Sequence, residues 1–243
     1  MKIAVLSDLH SNADALRKVI EDAKKWGAEK YYICGDIVGY GAEPDECITI
    51  IRELRADAVA GNHDWGVLER TSIEYFNGDA QSAILWTKNK IKSASRIYLD
   101  SLPLILKSNE LCISHANFKK PDGWEYILTL SQAAGQWASL SSSLGIIGHS
   151  HQPFIVKYSK EDGKTDLVES KEAFWDGNTS LLINAGSVGQ PRDGNPRACY
   201  LRVNTKEKSV RLIRVEYDIA SAQSKIINAG LPESLGRRLS YGR

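Results

Sequence analysis

The sequence of 243 residues predicts an α/β fold. Near the N-terminus, apolar runs without polar alternation are typical of strands covered on both faces, and the first two precede helical patterns. After His151 the pattern changes to short strands separated by turn signals, which favours a further sheet with antiparallel pairing. The length fits one domain better than two.

The N-terminal units place polar residues at strand ends. Residues 3–6 form the first predicted strand, after which Asn12 caps a helix. Residues 31–34 form the second strand, and Pro44 begins the second helix. Residues 58–60 form the third strand. Open α/β sheets bind their ligands at the C-terminal ends of such strands.

The middle of the chain does not continue this alternation of strands and helices. Residues 65–103 are predicted to form a small helical cap, with helices near 80–89 and 93–99. A hairpin follows, and its strands at 104–106 and 111–113 are joined by a polar turn at 108–110. The remaining predictions are a loop at 117–129, a helix at 131–140 and a buried strand at 144–147.

The C-terminal part is predicted to be mainly strands. They lie at 154–158, 165–169, 181–184, 199–203 and 210–217, and a helix follows at 219–228. We expect residues 1–230 to form one domain. Residues 231–243 show no periodicity and are expected to form an irregular, partly mobile tail.

Bulk composition excludes several classes of function. The net charge of +1 gives no global attraction to nucleic acid or anionic membranes. The four cysteines are scattered without CxxC spacing, which is typical of reduced thiols in a cytosolic protein. No signal-peptide pattern or membrane-length apolar run is present. We therefore expect a cytoplasmic protein that binds small molecules rather than nucleic-acid polymers or membranes.

All five histidines of the chain follow closely after apolar runs. A single histidine there is more often structural, but five of them interleaved with Asp8, Asp36 and Asn62 favour a metal site. Carboxylate, imidazole and amide ligands without thiolate suit Mn, Fe, Ni or Zn, and a carboxylate can bridge two such cations. The histidines are His10, His63, His115, His149 and His151.

The order of these residues resembles the calcineurin-like metallophosphoesterase superfamily. Five blocks, spanning residues 8–151, carry the resemblance: Asp8-x-His10, Gly35-Asp36, Gly61-Asn62-His63-Asp64, His115 and Gly148-His149-x-His151. A weaker match at residues 184–192 is similar to the Asn-Pro-Gly-Ser loop of the compact prokaryotic phosphodiesterase branch, with Ala185 in place of the proline.

The resemblance implies a four-layer α/β/β/α sandwich of two mixed sheets flanked by helices. It also implies two divalent metal ions per chain, with Mn favoured, that supply a bridging hydroxide to attack phosphorus. The first ion would be bound by Asp8, His10, Asp36 and His151, and the second by Asn62, His115, His149 and the shared Asp36.

Within this scheme His63 would be free of metal and would protonate the leaving oxygen, a role worth ~10²–10⁴-fold in rate. Asp64 would either orient His63 or cap the turn that follows.

Substrate-binding residues are less strongly indicated. Arg192 and Arg197 lie in a stretch rich in Gly and Pro and could contact phosphate, and Tyr40 could line the site or simply occupy its turn. Aromatic residues of the cap and the following loop could stack on a nucleobase or could pack the cap onto the sheet. They are Trp65, Tyr75, Phe76, Trp86, Phe118, Trp124, Tyr126 and Trp137.

The expected function is hydrolysis of phosphodiester or phosphoanhydride bonds in a nucleotide-like small molecule. Protein Ser/Thr phosphatases of the superfamily carry Gly-Asp-x-x-Asp-Arg-Gly, whereas this chain has Gly39 and Tyr40 where the second Asp and the Arg would stand. A phosphomonoesterase, a protein phosphatase and a non-catalytic metal-binding scaffold are the alternatives.

Overall fold

The computed structural model describes residues 1–109 and 111–243. Glu110, in the turn of the predicted hairpin, lies outside the described residues. The strands of the described part are β1 (Lys2–Leu6), β2 (Lys30–Ile33), β3 (Asp57–Ala58), β4 (Ile105–Lys107), β5 (Cys112–Ser114), β6 (Leu144–Ile147), β7 (Phe154–Ser159), β8 (Thr165–Leu167), β9 (Glu172–Phe174), β10 (Thr179–Asn184), β11 (Ala198–Asn204) and β12 (Ser209–Val215). The helices are α1 (Ala13–Trp26), α2 (Pro44–Glu53), α3 (Asn62–Val67), α4 (Gly78–Lys90), α5 (Ser93–Asp100), α6 (Leu130–Ala134), α7 (Ile219–Asn228) and α8 (Glu233–Arg237).

The strands form two six-stranded mixed sheets. The first has the order β3-β2-β1-β11-β12-β9, and the second has the order β4-β5-β6-β10-β7-β8. The N-terminal strands run parallel to one another, as do β5, β6 and β10, and the other pairs are antiparallel. The predicted α/β/β/α sandwich is confirmed.

One topological prediction is wrong: the strands after His151 do not form an antiparallel sheet of their own. Strand β11 pairs with β1, so that Val203 lies opposite Ile3, and β10 runs parallel to β6, so that Leu181 lies opposite Leu144. Both β10 and β11 are almost entirely buried. Fully buried strands occupy central positions, and here each completes a sheet begun earlier in the chain.

Successive residues of a strand face opposite sides of its sheet and so pack against different layers of the sandwich. Ile3 and Val5 face the second sheet and pack in a core with its residues Leu144 and Ile146. Ala4 faces the opposite side, where α1 and α2 cover the first sheet. On the outer face of the second sheet, a separate core contains residues from β5, β6, β7 and β10 with the loop and short helix that follow β5.

Local predictions were mostly confirmed, including α7 over residues 219–228 and the two cap helices. The expected helix at 131–140 is wrong in part: α6 ends at Ala134, Gly135 follows, and a 3₁₀ turn spans Trp137–Ser139. Strand β9 and the 3₁₀ turn Pro121–Gly123 were not predicted.

The expected irregular C-terminal tail instead contains regular structure. It forms α8 and a 3₁₀ turn at Arg238–Tyr241. Leu235 and Leu239 lie four residues apart, and both are buried against α4 and α7. In the described residues, no helix is both long and apolar enough to cross a bilayer.

Candidate metal centre

The predicted ligands lie where strands end in abrupt turns. Asp8, His10, Asp36, His149 and His151 all have positive φ values, from 45° to 68°. The left-handed conformation costs roughly 1–2 kcal/mol for a residue other than glycine. Such strain is typical of functional sites whose surroundings hold the backbone in place. Here, for example, the Asp8 N–H donates to the Gly35 carbonyl at 3.1 Å.

Gly61 allows two of these turns to meet. A Cβ atom at Gly61 would lie 2.1 Å from Asp36 Oδ1, so any other residue would displace this carboxylate. Helix α3 begins directly after it, and the backbone N–H of His63 donates to Asp36 Oδ1 at 2.9 Å. The other oxygen, Asp36 Oδ2, lies 3.6 Å from His10 Nε2 and 3.3 Å from His115 Nε2.

The first cluster contains Asp8, His10, Asp36 and His151, with potential ligand atoms within 4.8 Å of one another. The Nε2 atoms of His10 and His151 are 3.1 Å apart. Asp8 Oδ1 lies 3.2 Å from His151 Nε2, and Asp36 Oδ2 lies 3.6 Å from His10 Nε2. All four residues are buried.

A second cluster shares Asp36 with the first. Asp36, His115 and His149 also bring their potential ligand atoms within 4.8 Å of one another. His115 Nε2 lies 3.3 Å from Asp36 Oδ2, 3.1 Å from His149 Nδ1 and 3.1 Å from Asn62 Oδ1. The structure thus brings together all seven residues predicted as ligands, in the two groups that the resemblance implied.

For the four histidines of the two clusters, contacts with backbone carbonyls determine which ring nitrogen carries the proton. In each ring one nitrogen contacts a carbonyl oxygen, which accepts only, so that nitrogen carries the N–H and the other turns a lone pair to the cluster. The pairs are His10 Nδ1 with Val38 O (3.1 Å), His115 Nδ1 with Cys34 O (2.6 Å), His149 Nε2 with Trp124 O (2.8 Å) and His151 Nδ1 with Gln190 O (2.5 Å).

This donor set fits divalent cations. Lone pairs of two imidazoles that face each other at 3.1 Å repel unless a positive charge lies between them. Burial disfavours the charged form of His115, but the Asp36 carboxylate outweighs it and raises the pKa of His115 to about 9. Burial and the charge of His115 lower the pKa of His149 to about 3. Without a metal ion, a proton on His115 therefore supplies the positive charge between His115 and His149, and a divalent cation bound there would displace it.

Asp64 caps the turn, and its predicted catalytic role is not supported. Its Oδ1 accepts from the N–H groups of Ile37 and Val38, and its Oδ2 accepts from that of Gly61. These bonds occupy both oxygens and fix the Asp36 turn against the start of α3. Of the two alternatives for Asp64, the capping one agrees with the contacts.

His63 lies beside the clusters and lines the cavity next to them. Its ring centroid is 4.8 Å from that of His10 and 4.5 Å from that of Tyr40. Its Nδ1 is buried without a hydrogen-bond partner in the described part of the chain. Gly39 leaves room for the His63 ring, because a Cβ atom at Gly39 would lie 2.4 Å from His63 Nδ1. Burial lowers the pKa of His63 to about 4.

The two predicted arginines have different surroundings. Arg192 lines the cavity and donates to Tyr40 Oη at 3.0 Å and to Gln190 Oε1 at 3.1 Å. No carboxylate of the described residues lies within ion-pair distance of it. Arg197 is exposed, donates to Asn195 and is not among the cavity-lining residues. The prediction for Arg197 is therefore wrong in location, because its side chain folds back on its own turn.

The cavity has a volume of about 670 Å³ and a partly aromatic wall. Four of the eight predicted aromatics line it: Tyr75, Phe76, Trp124 and Tyr126. The other four pack elsewhere: Trp65 lies edge-on to Trp124, Trp86 donates to Ala229 O, Phe118 is in the outer core of the second sheet, and Trp137 stacks on Tyr158.

Sequence reasoning missed several parts of the site. Asn77 and Asp122 line the cavity, and the Trp124 carbonyl orients His149. Trp124 has a φ of 53°, which no residue pattern in its loop indicates. Trp124 was predicted only for its aromatic ring, and the one signal for Asp122 is its proximity in sequence to that residue.

Comparison with known proteins places the chain in a class. A metallophosphoesterase from Sphaerobacter thermophilus has 35% sequence identity and a TM-score of 0.87, with 100% of this chain and 99% of that chain covered. An uncharacterised protein of Methanocaldococcus jannaschii is 46% identical over 246 residues, covering 99% of this chain and 98% of the relative. A hypothetical protein from Pyrococcus horikoshii shares the fold at 21% identity and a TM-score of 0.79, with 100% and 98% covered. The fold and the two Asp–His clusters define the class as metallophosphoesterase.

Residues 1–208 match the calcineurin-like phosphoesterase superfamily domain, and the chain belongs to this family. It is therefore a phosphoester hydrolase. The resemblance found from five sequence blocks is confirmed. The family match ends just before β12, and β12, α7, α8 and the C-terminal turn lie beyond it.

Proposed function

We propose that the chain hydrolyses phosphodiester or phosphoanhydride bonds of a nucleotide-like small molecule with the help of two divalent metal ions. One observation carries the proposal: Asp36 Oδ2 faces both histidine clusters, 3.6 Å from His10 Nε2 and 3.3 Å from His115 Nε2. A single carboxylate in this position suits a pair of cations.

The ligands proposed for one ion are Asp8, His10, Asp36 and His151, and those for the other are Asn62, His115, His149 and Asp36. When bound, such ions lower the pKa of a water molecule and neutralise charge on phosphoryl oxygens. Manganese is the proposed working metal, because oxygen and imidazole ligands without thiolate suit it. Iron, nickel and zinc fit the same donors.

His63 is proposed to donate a proton to the leaving oxygen. It lines the cavity and lies next to His10, and its ring Nδ1 has no hydrogen-bond partner among the described residues. Burial lowers its pKa to about 4, and an anionic phosphoester in the cavity would favour the protonated form. Protein phosphatases place an Asp at the position of Gly39, so the unpartnered Nδ1 argues against that alternative.

Arg192 is proposed to bind a phosphoryl oxygen of the substrate. Arg192 lines the cavity, and its guanidinium donates to the neutral oxygens of Tyr40 and Gln190, while no carboxylate of the described residues pairs with its charge. Guanidinium groups bind phosphate through two parallel hydrogen bonds. Tyr40, under the guanidinium, holds it in place.

The cavity supports a substrate larger than a phosphomonoester. Its volume of about 670 Å³ is in the range of small-molecule sites and far exceeds a phosphoryl group. With one uncompensated arginine and a wall containing Tyr75, Trp124 and Tyr126, it suits a flat group attached to phosphate. We propose no nucleic-acid polymer and no membrane as partner.

The test combines metal analysis with matched substrates. Protein reconstituted with Mn should hold two metal ions per chain and should hydrolyse nucleotide diesters or phosphoanhydrides with higher kcat/KM than glycerol phosphate. Arg192→Ala should raise KM, while Arg197→Ala serves as the matched control and should not. One bound metal or none, or glycerol phosphate as the best substrate, would refute the proposal.

A further inference from the structure

We infer that the C-terminal segment, residues 231–243, supports the substrate-binding site from outside the cavity through Arg238, a positioning residue for Tyr40 and Arg192. The inference rests on the proposed phosphate-binding role of Arg192 and extends it to a part of the chain beyond the family match.

Two guanidinium groups lie over the Tyr40 ring. The Cζ atoms of Arg192 and Arg238 are 5.5 Å and 5.8 Å from its ring centroid. Tyr40 is only 4% exposed and has a φ of 53°, so its ring is held in a strained turn four residues after Asp36. A cation over a buried aromatic ring is attracted to the ring face, and each arginine therefore fixes the ring for the other.

The two arginines differ in how their charges are compensated. Arg238 Nη2 donates to Asp79 Oδ2 at 2.8 Å, and the Ser234 hydroxyl donates to the same oxygen at 2.6 Å. Arg238 is not among the cavity-lining residues, whereas Arg192 is. Arg238 thus ties the C-terminal segment to the first turn of α4, while Arg192 keeps its charge for an anion.

The end of the segment also supports the loop that carries Arg192. The Gly194 N–H donates to the Gly242 carbonyl at 3.0 Å. Gly242 has a φ of 62°, and a Cβ there would lie 2.6 Å from the backbone nitrogen of Asn195, so the two backbones pack directly together. Leu235 and Leu239 share an apolar cluster with Tyr40. The segment therefore contacts Tyr40 and the Arg192 loop at once.

The chain offers a matched control for Arg238. Arg237 is the preceding residue, its side chain is 76% exposed, and its ion pair is with Glu233 of its own helix. Arg238→Ala should raise KM for an anionic diester by roughly fivefold to thirtyfold, because a displaced Arg192 loses part of its charged hydrogen bonding to phosphate, with kcat changed little. Arg237→Ala should leave both constants unchanged. Arg238→Lys keeps a cation near Asp79 and the Tyr40 ring and should restore part of the loss.

The experiment measures KM and kcat with bis(p-nitrophenyl) phosphate, and the Kd of inorganic phosphate by calorimetry, for Mn-loaded wild type and the three variants. Metal content and Tm are measured in parallel. Weaker phosphate binding in Arg238→Ala at unchanged metal content, with partial recovery in Arg238→Lys, supports the inference. The inference would be overturned if Arg238→Ala had the same phosphate Kd and the same KM as Arg237→Ala. Wild type that binds phosphate but does not hydrolyse the diester would refute the proposed function, while the phosphate Kd still decides the role of Arg238.

Discussion

The two ends of the cavity are built differently. At the metal end every proposed ligand is buried, and each histidine has its second nitrogen bound to a backbone carbonyl. At the aromatic end Tyr75 is 92% exposed and Tyr126 is 45% exposed. Tyr126 stacks on His149 at 4.1 Å with the ring planes 11° apart, and so it joins the two ends.

This difference indicates that the metal end determines the rate of the reaction and the aromatic end determines the choice of substrate. Positions fixed by buried hydrogen bonds can hold a metal geometry that tolerates little displacement. Exposed aromatic side chains on loops can adapt to different flat groups at little cost in stability. We therefore expect variants at the metal end to affect turnover on all substrates, and variants at the aromatic end to affect the choice among them.

The largest effect is expected for Asp36→Asn. The amide oxygen can still accept from the His63 N–H, so the turn should survive, but the carboxylate shared by both clusters is lost. Loss of metal stabilisation should lower kcat on the order of 10³-fold or more. Elemental analysis should show fewer than two Mn ions per chain. A variant that retains both metals and full activity contradicts the shared role of Asp36.

The next largest effect is expected for His63→Ala. Its Nδ1 has no hydrogen-bond partner in the described residues, so the substitution breaks no bond of that atom. Hydrolysis of nucleoside or alkyl esters should fall ~10²–10⁴-fold, because their basic leaving oxygens need a proton. Nitrophenyl esters should lose less. Equal loss on both kinds of ester, or loss of metal, would exclude the general-acid role.

A smaller effect, on kcat/KM for nucleotide substrates, is expected for Tyr75→Ala. Base stacking contributes ~1–3 kcal/mol, so kcat/KM for nucleotide substrates should fall by roughly fivefold or more. Tm should not change, since the side chain is 92% exposed. Phe174→Ala, which removes another exposed aromatic on β9, is the control. Similar kcat/KM ratios for the two variants would show that Tyr75 takes no part in selection.

The smallest effect is expected for Ser11→Gly, next to the ligand His10. Ser11 has a φ of 53° and a buried hydroxyl without a partner in the described residues. Glycine adopts this conformation freely but increases the conformational entropy of the unfolded chain, so the net gain should be about 0.5–1 kcal/mol. For a chain of this size we expect Tm to rise by roughly 2–4 °C. A lower Tm at unchanged metal content would show that the turn is not strained at this residue.

The sequence predicted the metal end far better than the aromatic end. Ligands such as Asp8 and Asp36 follow buried strands, and strand periodicity is a local signal. The carbonyl partners of the histidines belong to the backbone and leave no mark in residue types. Of Tyr75 and Trp65, Tyr75 lines the cavity and Trp65 does not, because this depends on the course of an aperiodic loop for Tyr75 and on the orientation of the short helix α3 for Trp65.

Two further failures have the same physical origin. The distribution of late strands between the sheets depends on pairings such as that of β1 with β11, which no local pattern encodes. Helix α8 has only five residues, too few to show a helical period, and its stability comes from burial of Leu235.

The sequence separation between the ligands has a consequence for folding kinetics. The His149 N–H donates to Asp8 across 141 residues, so both sheets must assemble before the clusters exist. Contacts between distant residues form late in folding. We therefore predict that Mn slows unfolding and leaves the folding rate nearly unchanged, because stabilisation absent from the transition state acts on the unfolding rate. Stopped-flow measurements in Mn and in EDTA test this; a metal centre that forms early would instead make folding faster with Mn.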